Sequence, residues 1–196
     1  MIEPLGFAPG RRGIMGIRSE RDFTPASALC PRVDLWRATD SLASEMEVSD
    51  FMYALIRLLK PGIVVETGCY TGVTTLRMAR ALKTNRHGRM ATCDIKENLV
   101  AEMNQAARRR TLPLEAFCMS GVELIGRFDR IDLAFIDSGG NREAEVGRAV
   151  RRMNRFGVVA LHDTAPHHPE SRIQASLDLP YLYMNTPRGL TLFQVR

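Results

Sequence analysis

The chain of 196 residues is 45% hydrophobic and 25% charged, a length and composition that suit one α/β domain with a sizeable buried core. No apolar run approaches the ~20 residues that cross a bilayer, and the start has no signal-peptide core, so no membrane span is expected. A net charge of +5 rests on 24 Arg against three Lys, a bias that GC-rich coding produces as readily as phosphate binding does. In chain order, residues 1–40 read as an irregular N-terminal arm. Turns at Gly6, Pro9-Gly10, Gly13 and Gly16 break any periodicity, and the arm is expected to pack on a neighbour or cover a site. Residues 41–196 read as a single domain. A helix opens near Ser41 or Ser44, either of which can cap it, carries Met46, Phe51, Leu55, Leu58 and Leu59 as its stripe, and stops at Pro61-Gly62. Strands at 63–67, 89–94, 114–119, 131–137 and 157–162 then alternate with helices at 72–83, 96–108, 122–126 and 142–155. The fourth strand is almost wholly apolar, as a strand covered on both faces should be. Two extended segments at 181–185 and 190–195, joined by Thr186-Pro187-Arg188-Gly189, form a terminal β-hairpin.

The most informative stretch is Val64-Val65-Glu66-Thr67-Gly68-Cys69-Tyr70-Thr71-Gly72-Val73-Thr74-Thr75. An apolar strand runs into an acid, a turn with two glycines, and a helix N-terminus. That geometry receives a nucleotide-like ligand at the carboxyl edge of a parallel sheet. A dinucleotide turn needs G-x-G-x-x-G so that the backbone can approach a pyrophosphate, and Gly68 and Gly72 do not supply it. A ligand without a pyrophosphate is expected. Cys30, Cys69, Cys93 and Cys118 show no C-x-x-C spacing, so buried reduced thiols and a cytoplasmic location are expected rather than disulfides.

The run Glu66 through Thr75 resembles motif I of the class I S-adenosylmethionine-dependent methyltransferases, nearest the catechol- and caffeoyl-type O-methyltransferases and their small bacterial relatives. The resemblance covers about residues 45–196. It implies a Rossmann-like α/β fold: a seven-stranded, mostly parallel sheet with helices on both faces and a C-terminal antiparallel hairpin. It also implies S-adenosylmethionine as cofactor. Asp94, at the end of the second strand, would take both ribose hydroxyls, and Ser120 would contact the adenine. Many relatives carry an acid just before that serine, where this chain has Met119. Gly68, Tyr70, Gly72 and Thr74 would shape the pocket for the methionine portion, with Glu66 beneath the turn.

Methyl transfer asks a protein for alignment and for removal of the acceptor's proton. Asp137 and Asp163 end the fourth and fifth strands. In the catechol-type enzymes both matching positions are metal ligands, so the resemblance implies Mg²⁺ or another divalent cation, whose preference is for oxygen. Those enzymes place an Asn after the second acid and a Lys three residues after the first, where this chain has Thr164 and Gly140. The missing lysine leaves His162 and His167, with His168, as replacement bases. In a metal-free alternative Asp137 holds the cofactor's amino group or the acceptor. The implied function is O-methylation of a hydroxyl on a small molecule or sugar. The alternatives are a nucleic-acid or protein methyltransferase, and a non-catalytic S-adenosylmethionine-binding module. Arg clusters at 108–110 and 151–152 lie at helix C-termini, where the helix dipole favours cations without any partner. No Asn-Pro-Pro-Tyr-like amino-methylating motif follows the fourth strand, so nucleic acid is not the expected partner; a homo-oligomer is left open.

Overall fold

Alternating β and α segments fold here into one twisted sheet sandwiched between helices. The computed structural model describes residues 35–40 and 42–196; most of the expected arm, and Ser41, lie outside the described residues. In chain order the elements are α1 (Met46–Leu59), β1 (Ile63–Thr67), α2 (Val73–Asn85), β2 (Arg89–Asp94), α3 (Glu97–Arg110), β3 (Leu114–Cys118) and α4 (Gly121–Gly126). There follow β4 (Ile131–Ile136), α5 (Arg142–Arg152), β5 (Met153–His162), α6 (Ser171–Ser176), β6 (Tyr181–Met184) and β7 (Leu190–Gln194). The strand order is β3-β2-β1-β4-β5-β7-β6. Pairs among β1 to β5 are parallel, and β7 runs antiparallel to both of its neighbours. The sheet is thus the expected one. Its switch point lies between β1 and β4, where a ligand meets the carboxyl ends of the strands. Among the described residues, no helix is long and apolar enough to cross a membrane.

Strand alternation sorts side chains to two cores. Val64, Met90, Leu133, Phe135 and Ala160 pack against Val48, Met52 and Ile56 of α1 and Met78 and Leu82 of α2. On the same face, Val100 and Met103 of α3 pack with Cys69 and Ala116. Val65, Ala134, Ile136, Val159 and Leu161 face the other way, against Leu124 and Ile125 of α4, Val146 and Ala149 of α5 and Ile173 of α6. Fully burying each of Met52 and Ile56 is worth about 1.5–3 kcal/mol. That docking fixes where the residues just before α1 lie.

The departures from expectation are local. The buried face of α1 is Met46, Val48, Ser49, Met52 and Ile56, with Phe51 and Leu55 of the expected stripe packed at its border, while Leu58 and Leu59 are exposed. The helix begins after Glu45 with no side-chain cap, because the Glu45 carboxylate is committed to His162, Thr186 and Arg188; the Ser44 hydroxyl, one residue too early to cap, donates to Asp137, 93 residues away. Helix α5 ends at Arg152, and β5 opens at Met153, opposite Ile131. A bulge then carries the pairing on to Val158 opposite Leu133. Helix α6 was not expected from the sequence. Of the cysteines, Cys69 and Cys93 are buried free thiols and Cys118 is exposed and free; Cys30 lies outside the described residues.

Two features of the β1–α2 turn bear on stability. Gly68 has φ +84°, and a Cβ there would lie 2.7 Å from the Asp137 carbonyl oxygen and 2.8 Å from Ser138 Cα. The glycine therefore serves the backbone approach of β1 to the end of β4. Glu66 is buried and accepts hydroxyl hydrogen bonds of 2.6 Å from both Thr75 and Thr92. Burial pushes its carboxyl up from 4.5 to about 8, with help from the negative charges of Asp137 and Asp94.

Replacing Gly68 with Ala is expected to lower stability by about 1–3 kcal/mol, through the positive φ and the backbone clash. Chemical denaturation checks it, and an unchanged midpoint would show that the turn can open to admit a side chain. For Glu66, the folded state keeps a proton that the unfolded state releases between pH 4.5 and about 8. The contribution is full below pH 4.5 and falls as pH rises toward 8, by at most about 1.4 kcal/mol per pH unit. Glu66→Gln should flatten this decline in denaturation series between pH 5 and 8; a variant with the wild-type slope would mean that the folded carboxyl is already ionised.

Candidate functional site

At the switch point the glycine turn is strapped to β2. The Gly68 and Cys69 N–H groups donate to the Cys93 carbonyl at 3.0 and 2.9 Å. Asp94 accepts from Tyr70 N–H at 3.1 Å and from Lys96 N–H at 3.0 Å, one on each carboxylate oxygen. Two backbone donors thus aim a half-buried carboxylate at the turn, and each oxygen keeps a lone pair for a hydroxyl. Tyr70 takes φ 42° and its phenol bonds Asp40. Gly72, at φ 82°, is the N-cap residue of α2. Gly139, after β4, has nothing within 4 Å of a notional Cβ, so this turn borders open space.

The side chains of two expected cofactor contacts have protein partners. The Thr74 hydroxyl is buried against α1, 2.7 Å from the Ser49 hydroxyl and 3.4 Å from that of Ser44. It braces α1 against α2. Ser120 forms a capping box at the start of α4: its N–H and O–H donate to Glu123 Oε2 at 3.0 and 2.7 Å, and its hydroxyl accepts from Glu123 N–H.

The ends of β4 and β5 do converge, as the sequence implied, but into a cluster of six charged side chains. His162 is completely buried, with Nδ1 3.0 Å from Asp137 Oδ1 and Nε2 2.7 Å from Glu45 Oε2. Burial alone would lower its pKa; the carboxylates of Asp137 and Glu45 outweigh burial and raise it to about 10. The ring is then an imidazolium donating from both nitrogens, with no lone pair left for an acceptor's proton. Glu45 Oε1 also accepts from Thr186 Oγ1 at 3.0 Å and Arg188 N–H at 2.8 Å. Burial pushes the Glu45 carboxyl up, but His162 and the Arg188 N–H hold it below its ordinary value. Asp163 lies between Arg142, 2.7 Å from Oδ2, and Arg188, whose Nε and Nη2 reach both of its oxygens in a bidentate pair. Burial opposes ionisation there too, yet His162, Arg188 and Arg142 hold Asp163 far below the usual carboxylate range. His167 is exposed on the loop after β5, its ring 4.3 Å from that of His168, whose Nε2 is 3.9 Å from Asp163 Oδ1.

Sequence reading missed Ser44, Glu45, Arg142 and Arg188. Ser44, Arg142 and Arg188 meet the strand-end acids from the segment before α1, from α5 and from the β6–β7 turn, and Glu45 meets His162. Each looks locally like an ordinary surface polar residue.

Ligand atoms of Asp137, His162 and Asp163 lie within 4.8 Å of one another, close enough in principle to share a metal ion. The pair does not fit a divalent cation as it stands. Both Asp163 oxygens are taken by guanidinium groups, and Asp137 is held by His162 on one oxygen and by the Ser44 hydroxyl at 2.6 Å on the other. His162, Arg142 and Arg188 already balance the three carboxylates of the cluster, so an added dication would find neither an uncommitted ligand oxygen nor an excess of negative charge, and its binding requires that the arginines leave.

A family model described as "Methyltransferase domain" matches residues 65–164, from the middle of β1 to just past Asp163. No curated protein matches the chain. Among solved structures, the fold is similar to a methyltransferase from Geobacter sulfurreducens (TM-score 0.66, 18% identity, 76% of this chain and 78% of that one). It is also similar to an O-methyltransferase from Bacillus cereus in complex with SAH (0.66, 16%, 80% and 84%). A third is the O-methyltransferase TomG from Streptomyces achromogenes, involved in tomaymycin synthesis and in complex with SAM (0.63, 18%, 79% and 82%). With the matched region running through the switch-point turn, Asp94 and both strand-end acids, the chain belongs to the methyltransferase domain family.

Proposed function

We propose that this protein is an S-adenosylmethionine-dependent O-methyltransferase acting on a hydroxyl of a small molecule or sugar. The observation that carries the reading is Asp94, held by Tyr70 and Lys96 N–H groups against the glycine turn at the switch point of this sheet. The solved relatives with SAH or SAM bound support the cofactor, and their description as O-methyltransferases supports the acceptor atom. The residues present fit the cofactor: a carboxylate with free lone pairs for ribose hydroxyls, a turn without a pyrophosphate loop, and open space beside Gly139. When bound, it supplies an electrophilic methyl group on a sulfonium sulfur.

Asp94 orients the ribose. The backbone from Gly68 to Gly72 lies along the methionine portion, while Glu66, protonated at neutral pH, keeps a negative charge out of the floor of the turn. Met119 and Ser120 border the adenine, the serine by fixing the start of α4. Asp137 and His162 do not move protons; they set the shape of the acceptor edge. His167, the exposed imidazole on the loop after β5, takes the acceptor's proton. The buried free thiols Cys69 and Cys93 suit a reducing compartment, which supports a cytoplasmic location.

Calorimetry with S-adenosylhomocysteine tests the assignment directly, since a folded protein giving no heat would remove it. In the same assay Asp94→Ala is expected to weaken binding by about 1.5–3 kcal/mol, the usual loss for hydrogen bonds to a charged group. Undiminished affinity would leave Asp94 as a strap for the turn alone. His167→Ala should cut turnover by about 10²-fold or more with S-adenosylhomocysteine affinity unchanged; full turnover would assign the proton to water.

A further inference from the structure

The two arginines at the acceptor edge are built into the fold. Arg142 Nη1 lies 2.7 Å from Asp163 Oδ2 and 3.1 Å from the His162 carbonyl, and Nε is bonded to the Ser138 carbonyl. Arg188 Nη2 reaches the same Asp163 oxygen at 2.9 Å, and Nη1 donates to the Ala43 carbonyl at 3.1 Å. Their side chains are only 9% and 13% exposed, so these are not surface pairs that come and go with ionic strength. The carbonyls that hold them come from the β4–α5 turn, the end of β5 and the segment before α1, so neither guanidinium can withdraw without loosening several elements.

We propose that Arg142 and Arg188 stand in the place of a divalent cation, so that methyl transfer by this protein needs no metal and its acceptor is not held as a metal-chelated vicinal diol. A vicinal diol bound through a metal needs two open coordination positions side by side. Guanidinium groups already committed to a carboxylate and to carbonyls offer no equivalent. An acceptor here must reach the methyl group by shape, and must lose its proton without a Lewis acid, which a phenol or enol does more readily than an alkyl alcohol. The proposal rests on the methyltransferase reading above.

Its test does not depend on turnover. Mn²⁺ is titrated into the protein while its free-ion EPR signal is followed, with S-adenosylhomocysteine calorimetry run in parallel. The wild type is expected to leave the Mn²⁺ signal untouched to about 1 mM. Binding of one Mn²⁺ per chain that Asp163→Asn abolishes would overturn the proposal. The double substitution Arg142→Gln with Arg188→Gln is expected to gain Mn²⁺ binding at least about tenfold tighter than wild type. A folded double variant that ignores Mn²⁺ would overturn it as well, because the arginines would then not be what excludes the ion. If the double variant does not fold, the wild-type titration decides alone. Failure to bind S-adenosylhomocysteine would remove the methyltransferase reading while leaving the Mn²⁺ result intact, so the two failures are told apart.

Discussion

Everything at the acceptor edge depends on the bridge that His162 makes between Asp137 and Glu45. The ring sits at the end of β5 with no contact to water, and both nitrogens meet carboxylates. One of those carboxylates ends β4; the other precedes α1 and also gathers the hydroxyl and N–H of the β6–β7 turn. A single imidazolium thereby joins four separate parts of the chain. A buried charge of this kind is costly to isolate, and removing one partner from such a pair typically costs about 3–5 kcal/mol. The cluster avoids that cost by closing on itself: Glu45, Asp137 and Asp163 carry the negative charges, and His162, Arg142 and Arg188 the positive ones.

Glu66 answers the same physical problem in the opposite way. It lies on the same face of the sheet, one strand from Asp137, but among the described residues no cation reaches it. Its partners are the hydroxyls of Thr75 and Thr92, which cannot neutralise a charge in a dry site. Protonation is the remaining way out, and the negative fields of Asp137 and Asp94 push further in that direction. The floor beneath the glycine turn is therefore uncharged at neutral pH, while the edge two strands away is densely charged and balanced. A cationic sulfonium is thus offered the carboxylate of Asp94 from the side and no fixed charge from below.

The fold was legible because its signals are local. Apolar runs, Pro61-Gly62, the Gly68–Gly72 turn and the Thr186-Pro187-Arg188-Gly189 hairpin each act within a few residues, and they set the strand order through chain connectivity. Asp94, Asp137 and Asp163 were legible for the same reason, since each follows directly from where a strand ends. The partners of the acids were not. Ser44 reaches across 93 residues, Glu45 across 117 to His162 and 141 to Thr186, and no periodicity records such meetings. Ser44 shows how the miss arises: its type suits a helix cap, but the helix starts one residue too late for it to serve as one, and its hydroxyl donates to a carboxylate 2.6 Å away. The end of the stripe on α1 was misjudged because position, not apolarity, decides burial. Its leucines at 58 and 59 are as apolar as the core, but the sheet lies under Val48, Met52 and Ile56.

The two departures from the catechol-type pattern both lie against the cluster. Thr164, where those enzymes place an asparagine, is buried and pairs its hydroxyl with that of Thr191 on β7 at 2.9 Å. It ties β5 to the hairpin that delivers Arg188. Gly140, where they place a lysine, lies beside Ser138 and Glu145, and a Cβ there would stand 3.3 Å from each of their side chains. A lysine at that position would have to thread past the Ser138–Glu145 hydrogen bond of 2.7 Å and would add a cation to an edge already balanced by two arginines and an imidazolium. Threonine at 164 and glycine at 140 are both compatible with the arginine-balanced cluster: one ties down the hairpin that carries Arg188, and the other adds no further cation beside the ends of β4 and β5.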